Sequence, residues 1–428
     1  MTVTVSAFII LILFGAPIVF ALGVSATVAL ALTTDTPLAI VAQRIFAGLD
    51  SFPIMAIPFF VLTGLIMESG GIARRIVDLA QAIIGWIPGS LYGVATVTGT
   101  GLSAISGSGT ADTAAISSMM VPEMRRRGYD LDLGASLIAA AGSLAPIIPP
   151  SVFMIVVATI SNLSVGRLFL AGVVPGLIIS LSLILCGYIV ARAGGDRYRD
   201  NTRFSLTSFL KSLRAALPAL TLPVIIVGGI VGGVFTPTEA AGIAVFVGLL
   251  VSILVYRELR LSDLPLLVLR SAGLSAAVMM IIATASVFSW LIASQNVPEL
   301  LGGWIENLTN SRIVFLLVVN LLLLFVGMFL ESISAIVILV PMLMPIAIAF
   351  GVDPIHFGVV VCLNLSVGMI TPPYGICLFV AASVAERPIQ KVAARVWIPL
   401  IPMLGTLLAI TFMPDLVLLL PNLILDPS

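Results

Sequence analysis

The sequence is poor in charged residues, in histidine and in cysteine. Only 9% of its 428 residues are charged, 60% are apolar, and the mean hydropathy is +1.22. A soluble domain of this size does not need so much apolar surface, and the apolar runs are too long for the alternating segments of a membrane β-barrel. The chain is therefore predicted to be an all-α polytopic membrane protein.

The motifs of several enzyme classes are also absent from the sequence. Cys186, Cys362 and Cys377 lie in apolar surroundings without CxxC spacing, so neither a disulfide nor a metal set is expected. There is no HExxH, paired-aspartate or Walker A motif, which disfavours metal-dependent hydrolysis and direct ATP-driven pumping. The run Gly107-Ser108-Gly109 is similar to that of intramembrane serine proteases, but His356, the single histidine, is predicted to lie away from it. No organic cofactor and no nucleic-acid partner is expected.

A polar, proline-rich stretch from Ser103 to Pro150 has a counterpart later in the chain, without a gap. It opens with SAISGSGTADT and closes with SLAPIIPPS, where a plain spanning helix would carry leucine. The residues that recur at an offset of 223 positions include Pro122/Pro345, Gly128/Gly351, Asp130/Asp353, Ser143/Ser366, Ile147/Ile370 and Pro149-Pro150/Pro372-Pro373. Two halves with interrupted hydrophobic segments at corresponding places indicate the central binding site of a secondary transporter.

Nine membrane crossings and two half-inserted hairpins are predicted. The crossings are residues 4–33, 53–69, 133–160, 168–191, 218–235, 240–256, 272–293, 355–383 and 398–420. Short amphipathic helices at 36–50 and 257–270 are predicted to lie along the membrane surface at matching places. The polar stretch that follows residue 191 joins a first repeat, 1–215, to a second, 216–428.

The hairpins are predicted at 88–122, which SGSG interrupts, and at 313–341, with its tip in GMFLESIS. Each limb of the first is only about 15 residues long, whereas a crossing needs about 20, so a re-entrant hairpin is favoured over one kinked span. Two crossings are predicted to be broken. Pro146, Pro149 and Pro150 remove backbone donors from 133–160, and SVGMITPPYG interrupts 355–383 in the same way.

The basic residues fix an orientation. With the N-terminus in the cytoplasm and the C-terminus in the periplasm, all of the 20 except Arg44, Arg167 and Arg312 fall on the inner side. Reading the hairpins as full crossings would move many of these charges outside. The loop MRRRGYD after the first hairpin is then inside, and its counterpart AIAFGVD is outside. The two repeats are therefore predicted to be inverted.

The tips and breaks offer oxygen ligands of the kind that a transported sodium ion needs. Carbonyls in a helix interior already accept helical hydrogen bonds, whereas the carbonyls of unwound backbone and the hydroxyls of serine and threonine can complete the coordination shell of a sodium ion. The alternative is that glycine and serine here only let helices pack closely. The candidate sodium ligands are Ser106, Ser108, Asp112, Gly142, Ala145, Pro150, Gly327, Glu331, Ser332, Gly368, Met369 and Thr371, and the candidate substrate contacts are Ser103, Ser108, Thr110, Asn364 and Thr371.

Two groups of acidic residues are distinguished. Asp112 and Glu331 lie within hairpins at membrane depth, where an unpaired carboxylate is functional by default. Asp112 either completes a cation site or fixes the hairpin by accepting backbone hydrogen bonds. Asp130, Asp353 and Glu239 are predicted to be helix caps or first-turn residues. A passive channel is a third class, but a channel needs a continuous polar lining, and two discrete polar layers are present instead.

The sequence resembles the large membrane subunit of the tripartite ATP-independent periplasmic (TRAP) transporters. The residues that carry the resemblance are the run SGSGTADTAAISSMMVPEMRRRGYD, the FTPTEAA turn and the ITPPYG break, in that order. It implies sodium-driven import of an organic carboxylate, such as a C4-dicarboxylate, a sialic acid or another sugar acid. It also implies a bacterial inner-membrane location, a periplasmic substrate-binding protein and a small membrane subunit, expected here as a separate chain.

The resemblance further implies at least two sodium ions and an elevator mechanism. Hairpins and broken helices would move past a fixed scaffold, with 36–50 and 257–270 as arms in contact with membrane lipid. Family sodium sites map onto Ser106 and Ser108 with the break at 142–150, and onto the second tip with the break at 368–373. The alternative is a divalent-anion/sodium symporter, which works without a binding protein.

Overall fold

The computed structural model describes residues 2–33, 36–198, 204–309 and 311–425, and these residues form helices and connecting turns without a strand. Seven of the helices are long and apolar enough to cross a membrane. The all-α polytopic architecture is confirmed. Arg199 and Arg203, predicted to lie inside, are outside the described residues.

The first predicted crossing, 4–33, is wrong as a single span. The chain forms α1 (Thr2–Leu13) and α2 (Ile18–Thr33), which pack against each other. Gly15 takes a positive φ of 76°, which only glycine adopts readily, and Pro17 has no amide hydrogen to continue the ladder. The apolar run was continuous, but its two backbone breakers end the first helix.

The next helices belong to the first repeat. The predicted surface helix at 36–50 is α3 (Ala39–Leu49), followed by a 3₁₀ turn at Phe52–Met55. The chain continues as α4 (Ala56–Ser69) and α5 (Ile72–Ile84), which meet at the glycine pair 70–71. Gly71 takes a positive φ of 75°, a conformation that favours glycine at this corner.

The predicted hairpin one consists of α6 (Ser90–Ser106) and α7 (Gly109–Arg126). After it come α8 (Leu131–Gly142) and α9 (Val152–Ile160), separated by the unwound residues 143–151. Asp130 caps α8 by accepting hydrogen bonds from the amides of Asp132 and Leu133, as predicted.

Three long helices connect the repeats. They are α10 (Val165–Ala193), α11 (Leu206–Val231) and α12 (Pro237–Leu250), the last continuing as a π-helical turn at Val251–Val255. In the FTPTEAA turn, Thr236 and Glu239 form a reciprocal capping box, and the Glu239 carboxylate accepts from the Thr236 amide at 2.8 Å. The structural role predicted for Glu239 is confirmed.

The second predicted surface helix, 257–270, does not form a separate element. Residues from 264 onward are the first turns of α13 (Leu264–Ser294), which runs on through the predicted crossing 272–293. In the first repeat, Pro53 separates α3 from α4, whereas Ala276 stands at the corresponding position and lets the helix continue. Next comes α14 (Val297–Leu308).

The second hairpin and broken helix follow in the same order as the first. The hairpin is α15 (Arg312–Phe329) and α16 (Ser332–Ala349), and the broken helix is α17 (Pro354–Gly368) and α18 (Ile376–Ala385). The chain ends with α19 (Ile389–Arg395), α20 (Trp397–Phe412) and α21 (Pro414–Leu425). Both ends of α16 lie 223 positions after those of α7, which is the offset of the recurring residues.

The hairpin limbs are longer than the sequence suggested. They contain 17 and 18 residues in the first hairpin and 18 each in the second, so an 18-residue limb is about 27 Å long. Both limbs of the second hairpin are long and apolar enough to cross a membrane. The argument from limb length was made for the first hairpin, whose limbs are not among the seven helices able to cross. For the second hairpin, the re-entrant placement depends on the charge distribution.

Candidate cation and substrate site

The tips of the two hairpins face one cavity of about 500 Å³. Residues of tip one, including Ser106, Ser108 and Thr110, form one side, and residues 327–333 of tip two form another. The remaining walls come from α4, from α13 and from residues next to both helix breaks. The cavity therefore lies where both repeats meet.

Tip one is held together by hydrogen bonds to a buried carboxylate. Asp112 is only 2% exposed and accepts hydrogen bonds from the hydroxyls of Ser103, at 3.2 Å, and Ser106. The Ser106 hydroxyl in turn accepts from the Ser108 amide at 3.1 Å. Gly107 provides the turn with φ of 62°. Asp112 thus fixes the hairpin, although through side-chain hydroxyls rather than through backbone amides.

The first break leaves carbonyl oxygens without helical donors. Pro146 and Pro149 stand four residues after Gly142 and Ala145, so neither carbonyl can accept the usual helical hydrogen bond. A Cβ on Gly142 would lie 2.1 Å from the Thr113 Oγ1, which means that α8 ends directly against α7. A Cβ on Gly109 would lie 3.2 Å from the Gly142 carbonyl oxygen. Tip one and the first break are therefore in backbone contact.

Tip two is built differently, around a helix cap. Glu331 caps α16 by accepting from the Ser334 amide at 3.0 Å, and its side chain is exposed to the cavity. A Cβ on Gly368 would lie 2.8–2.9 Å from the backbone of Gly327, so α15 and α17 touch where the second break begins. The two glycines are needed for this close approach.

The second break contacts the first, and its carbonyls have other donors. Pro372 and Pro373 stand four residues after Gly368 and Met369, so neither carbonyl accepts the usual helical hydrogen bond. The Gly368 carbonyl accepts instead from the Thr371 amide at 3.1 Å, and the Met369 carbonyl from the Cys377 amide at 3.0 Å. The Met369 side chain reaches tip one, because a Cβ on Gly109 would lie 2.7 Å from its Cε. The hydroxyl of Ser366 donates to the carbonyl of Ser143, its counterpart in the first repeat.

The structure brings most, but not all, of the predicted residues to the cavity wall. The wall contains Ser106, Ser108, Thr110, Asp112, Gly327, Glu331, Ser332 and Met369. Ser103 lies behind Asp112, and Gly142, Ala145, Pro150, Gly368 and Thr371 lie in the breaks behind the wall. Thr371 donates to the Val367 carbonyl at 2.7 Å. Their roles as ligands remain predictions.

Asn364 is a predicted substrate contact that the structure places in a different environment. It is fully buried in α17 and donates to the carbonyl and the side-chain oxygen of Asn320, both at 3.0 Å. Asn320 donates to the Thr411 hydroxyl at 2.8 Å. The structure therefore places Asn364 in a polar contact between α15, α17 and α20, outside the cavity wall.

Sequence reasoning missed the walls supplied by α4 and α13. Glu68 of α4 lines the cavity with an exposed side chain, and Leu274, Ala277 and Val278 of α13 lie on the wall with it. A carboxylate at the end of an apolar span is a recognisable signal, which was available at Glu68. The apolar wall of α13 carries no such signal, because it is indistinguishable from any lipid-facing or core surface.

Ion pairs tie the ends of the first repeat to the second. Arg387, between α18 and α19, forms a bidentate ion pair with Asp132: its Nε donates to Oδ1 at 2.6 Å, and its Nη2 donates to Oδ2 at 2.9 Å. The Nη2 of Arg395 lies 3.3 Å from the Oδ2 of Asp130. The hydrogen bonds to Asp132 raise the pKa of Arg387 above its usual value, so the guanidinium stays charged. The N-terminus of α8 is thus attached to the loop that follows the second broken helix.

Comparisons with known proteins point in one direction. A family model described as "Tripartite ATP-independent periplasmic transporter, DctM component" matches residues 5–416. The C4-dicarboxylate large permease DctM of Rhodobacter capsulatus is 39% identical over 97% of each chain, and the sialic acid large permease SiaM of Vibrio cholerae is 37% identical over 96% of each. The isethionate permease DctMQ of Oleidesulfovibrio alaskensis is 40% identical over 95% of this chain, which spans 64% of its length.

A solved structure with a similar fold is the YdaH transporter of Alcanivorax borkumensis. It covers 96% of this chain and 98% of its own, with a TM-score of 0.57 and 15% sequence identity, so the likeness concerns the fold alone. The sequence relatives above are all named as permease proteins, which favours a transporter over an enzyme.

Proposed function

The chain belongs to the DctM component family of the tripartite ATP-independent periplasmic transporters, and on that premise we propose that it imports an organic carboxylate by sodium symport. The family works with a small membrane subunit and a substrate-binding protein, and its members are multi-pass membrane proteins of bacteria. We place this chain in the inner membrane with Arg74, Arg75 and the loop MRRRGYD on the cytoplasmic side, and we propose that it accepts a C4-dicarboxylate, a sialic acid or another sugar acid from the periplasm.

The observation that carries the proposal is the meeting of two hairpin tips and two helix breaks around one cavity. Unwound backbone at membrane depth is stable only where it is buried in protein or lines a water-filled cavity. The carbonyls of Gly142 and Ala145, which Pro146 and Pro149 deprive of their helical donors, are hard oxygen ligands, which suit sodium. The N-terminal ends of α7 and α16 lie at the tips, where their dipoles favour a carboxylate.

Sodium supplies the driving force in this proposal. One sodium ion entering down an inside-negative potential of about 100 mV contributes about 2.3 kcal/mol before any concentration term. Two ions, one at each tip and break, would bring in two positive charges with the single negative charge of a monoanionic sugar acid, so that uptake would be electrogenic. With a C4-dicarboxylate dianion the charges would cancel, and the sodium concentration gradient would drive uptake.

We further propose an elevator in which the inverted repeats supply the moving parts. The hairpins and broken helices form one packed body, joined through Ser366 and Ser143 and through Met369 and Gly109. The wall formed by α4 and α13 is the scaffold. A Cβ on Gly64 of α4 would lie 3.1 Å from the Ser106 carbonyl oxygen, so tip one rests directly on that scaffold.

The cavity includes Glu68 and Ala73, next to Arg74 and Arg75, at the end of α4 that the basic residues assign to the cytoplasm. The structure therefore corresponds to an inward-facing state in this proposal. Periplasmic access would require the hairpin body to move along α4 and α13.

The decisive experiment is uptake into proteoliposomes that contain the chain with its small subunit. A sodium gradient and the substrate-binding protein are supplied together, singly or not at all, with a potassium gradient as the control. Uptake that requires both supports the tripartite sodium symporter. Uptake with sodium alone selects the stand-alone divalent-anion symporter, and uptake that ignores both contradicts the proposal.

A further inference from the structure

Three carboxylates line the transport cavity in the part of the chain that the structure describes, and they belong to different bodies of the proposed elevator. They are Glu68, Asp112 and Glu331. Asp112 and Glu331 are parts of the hairpins and would move together with the bound ions and the substrate. Glu68 belongs to α4 of the scaffold. It is therefore the one carboxylate of the three whose distance from the bound ligands would change during the transport cycle.

Glu68 lies one helical turn from the place where tip one rests on the scaffold. A Cβ on Gly64 would lie 3.1 Å from the Ser106 carbonyl oxygen. Residues four apart lie on the same face of a helix, about 6 Å from each other along its axis. Glu68 therefore shares a face of α4 with Gly64, and both residues line the cavity. In this state, tip one has an exposed scaffold carboxylate beside it.

The charge of Glu68 is not neutralised by an ion pair with any residue that the structure describes. Arg75 pairs elsewhere, because its Nη1 lies 2.8 Å from the Oε1 of Glu258 and its guanidinium lies 3.6 Å from the ring centroid of Tyr256. Arg74 is exposed and does not line the cavity. An unpaired carboxylate acts on charges within about one Debye length, about 8 Å at physiological ionic strength. One helical turn lies within this distance.

The second repeat has no carboxylate at the corresponding place. The offset of 223 positions leads from Glu68 to Leu291 of α13, which is fully buried. In the proposed inverted arrangement, this end of α13 faces the periplasm, whereas Glu68 lies at the cytoplasmic end of α4. The scaffold helices therefore differ in charge at their two equivalent ends, and the carboxylate is at the end where the substrate would be released.

From this arrangement we propose that Glu68 sets the order of release into the cytoplasm, an inference that rests on the proposed sodium symport. With tip one beside Glu68, the substrate carboxylate at the N-terminus of α7 is repelled and a sodium ion is attracted. The substrate therefore leaves first, and sodium follows. In the outward-facing state, tip one would lie along the periplasmic part of α4, farther from Glu68. The effect would then be confined to the inward-facing state, as a bias between two states requires.

The test measures trans-inhibition in proteoliposomes that contain the full chain with its small subunit. Sodium and the substrate-binding protein are added outside, so that only molecules with their periplasmic face outward take up substrate. Sodium or substrate is also loaded inside, where it reaches the cytoplasmic opening. The probes are succinate, N-acetylneuraminate and gluconate, and the measurements use the one that the unmodified protein takes up.

Glu68→Gln removes the charge and nearly preserves the size of the side chain. Internal substrate should then inhibit uptake at an about twofold to fivefold lower concentration, and internal sodium at an about twofold to fivefold higher concentration. The external concentrations of sodium and substrate that give half-maximal uptake should not change. Glu68→Asp should restore most of the original behaviour. The matched control is Asp78→Asn, which removes an exposed carboxylate of α5 outside the cavity wall and should leave both inhibition constants unchanged.

The effect of Glu68→Gln should also depend on ionic strength. Raising the internal choline chloride concentration from about 50 mM to about 500 mM shortens the Debye length about threefold. The difference between Glu68→Gln and the unmodified protein should shrink accordingly. A difference of the same size at both concentrations would show that the substitution acts through the shape of the cavity and would overturn the proposal.

The opposite shifts for substrate and sodium separate a charge effect from a structural one. Shifts of both inhibition constants in the same direction would overturn the proposal, and so would equal shifts measured from the inside and the outside. Sodium-dependent uptake with unchanged internal inhibition in Glu68→Gln would contradict only the role of Glu68. An unmodified protein without sodium-dependent uptake of any probe would contradict the sodium symport itself, together with the release order that rests on it.

Discussion

At the scale of single residues, the site depends on hydroxyls and on missing side chains more than on charges. Ser106 and Ser103 hold Asp112, and glycines let tips and breaks touch. Each of these features can be tested by a larger side chain, because the structure leaves no space for one at these positions. Two substitutions separate the ligand role from the packing role.

Ser108→Leu removes a hydroxyl of tip one that lines the cavity and fills part of the volume in which an ion and a substrate would meet. We expect sodium-dependent uptake to be abolished while assembly with the small subunit is preserved. Uptake in proteoliposomes and size-exclusion chromatography measure the two properties. Thr221→Leu, on an exposed face of α11, is the control and should transport normally. Undiminished uptake by the Ser108 variant would contradict the cation site.

Gly142→Ala addresses the contact between α8 and α7. The new Cβ would lie 2.1 Å from the Thr113 Oγ1, so the backbone must shift, at a cost of about 1–3 kcal/mol in the free energy of unfolding. Gly405→Ala is the control, because nothing lies within 4 Å of its Cβ position. Adding Thr113→Ala to Gly142→Ala should recover part of the loss. Equal melting temperatures for Gly142→Ala and Gly405→Ala would show that the break is looser than the structure indicates.

At the scale of elements, the boundaries that follow backbone chemistry were predictable and the others were not. The first break was expected at 142–150 and lies at 143–151, because Pro146, Pro149 and Pro150 remove backbone donors there. The division of the predicted crossing 4–33 into α1 and α2 was not predicted, because the crossing was assigned from hydropathy and not from the helix breakers Gly15 and Pro17. The second arm continues into α13, and Ala276 stands in this helix where the first repeat has Pro53, a difference that is visible only when the repeats are compared position by position.

The attachment of α8 to the loop before α19 is an element-scale feature with a measurable energy. Asp132→Asn and Arg387→Gln should each lower the free energy of unfolding, and the double variant should lose less than the sum of the two. We expect a coupling of about 0.5–1 kcal/mol, because the pair is only partly buried. Chemical unfolding of the four proteins measures the coupling. Strict additivity would show that the pair contributes nothing to this attachment.

At the scale of the whole molecule, the inversion of the repeats is the main claim about topology. Arg126→Cys and Ala349→Cys mark equivalent, exposed ends of α7 and α16. In right-side-out vesicles, a membrane-impermeant maleimide should label the second and not the first, and inside-out vesicles should reverse the result. Among the native cysteines, Cys362 and Cys377 are fully buried and Cys186 is half-buried, so labelling of the unmodified protein is the background to be subtracted. Labelling of both positions from the same side would remove the inverted arrangement and the shared cation site.

Contacts between segments far apart in the chain could not be predicted from the sequence. The repeat offset indicated which segments correspond, but the cavity wall formed by α4 and α13 arises from packing between segments far apart in the chain. The same holds for Asn364, whose polar side chain suggested a substrate contact, while the structure uses it between helices. A polar residue in an apolar helix indicates that a partner exists, and only the folded chain identifies the partner.

The contact of Ser366 with Ser143 has a consequence for stoichiometry. In the proposed elevator, the hydrogen bond between Ser366 and Ser143 would make the two cation sites move as one body, so a cycle with one ion bound would carry the second site empty. A cycle with only one sodium ion bound would then be unproductive, and the ratio of sodium to substrate would be set by geometry rather than by relative concentrations. Removal of the hydrogen bond between Ser366 and Ser143 should convert a fixed ratio of sodium to substrate into a variable one.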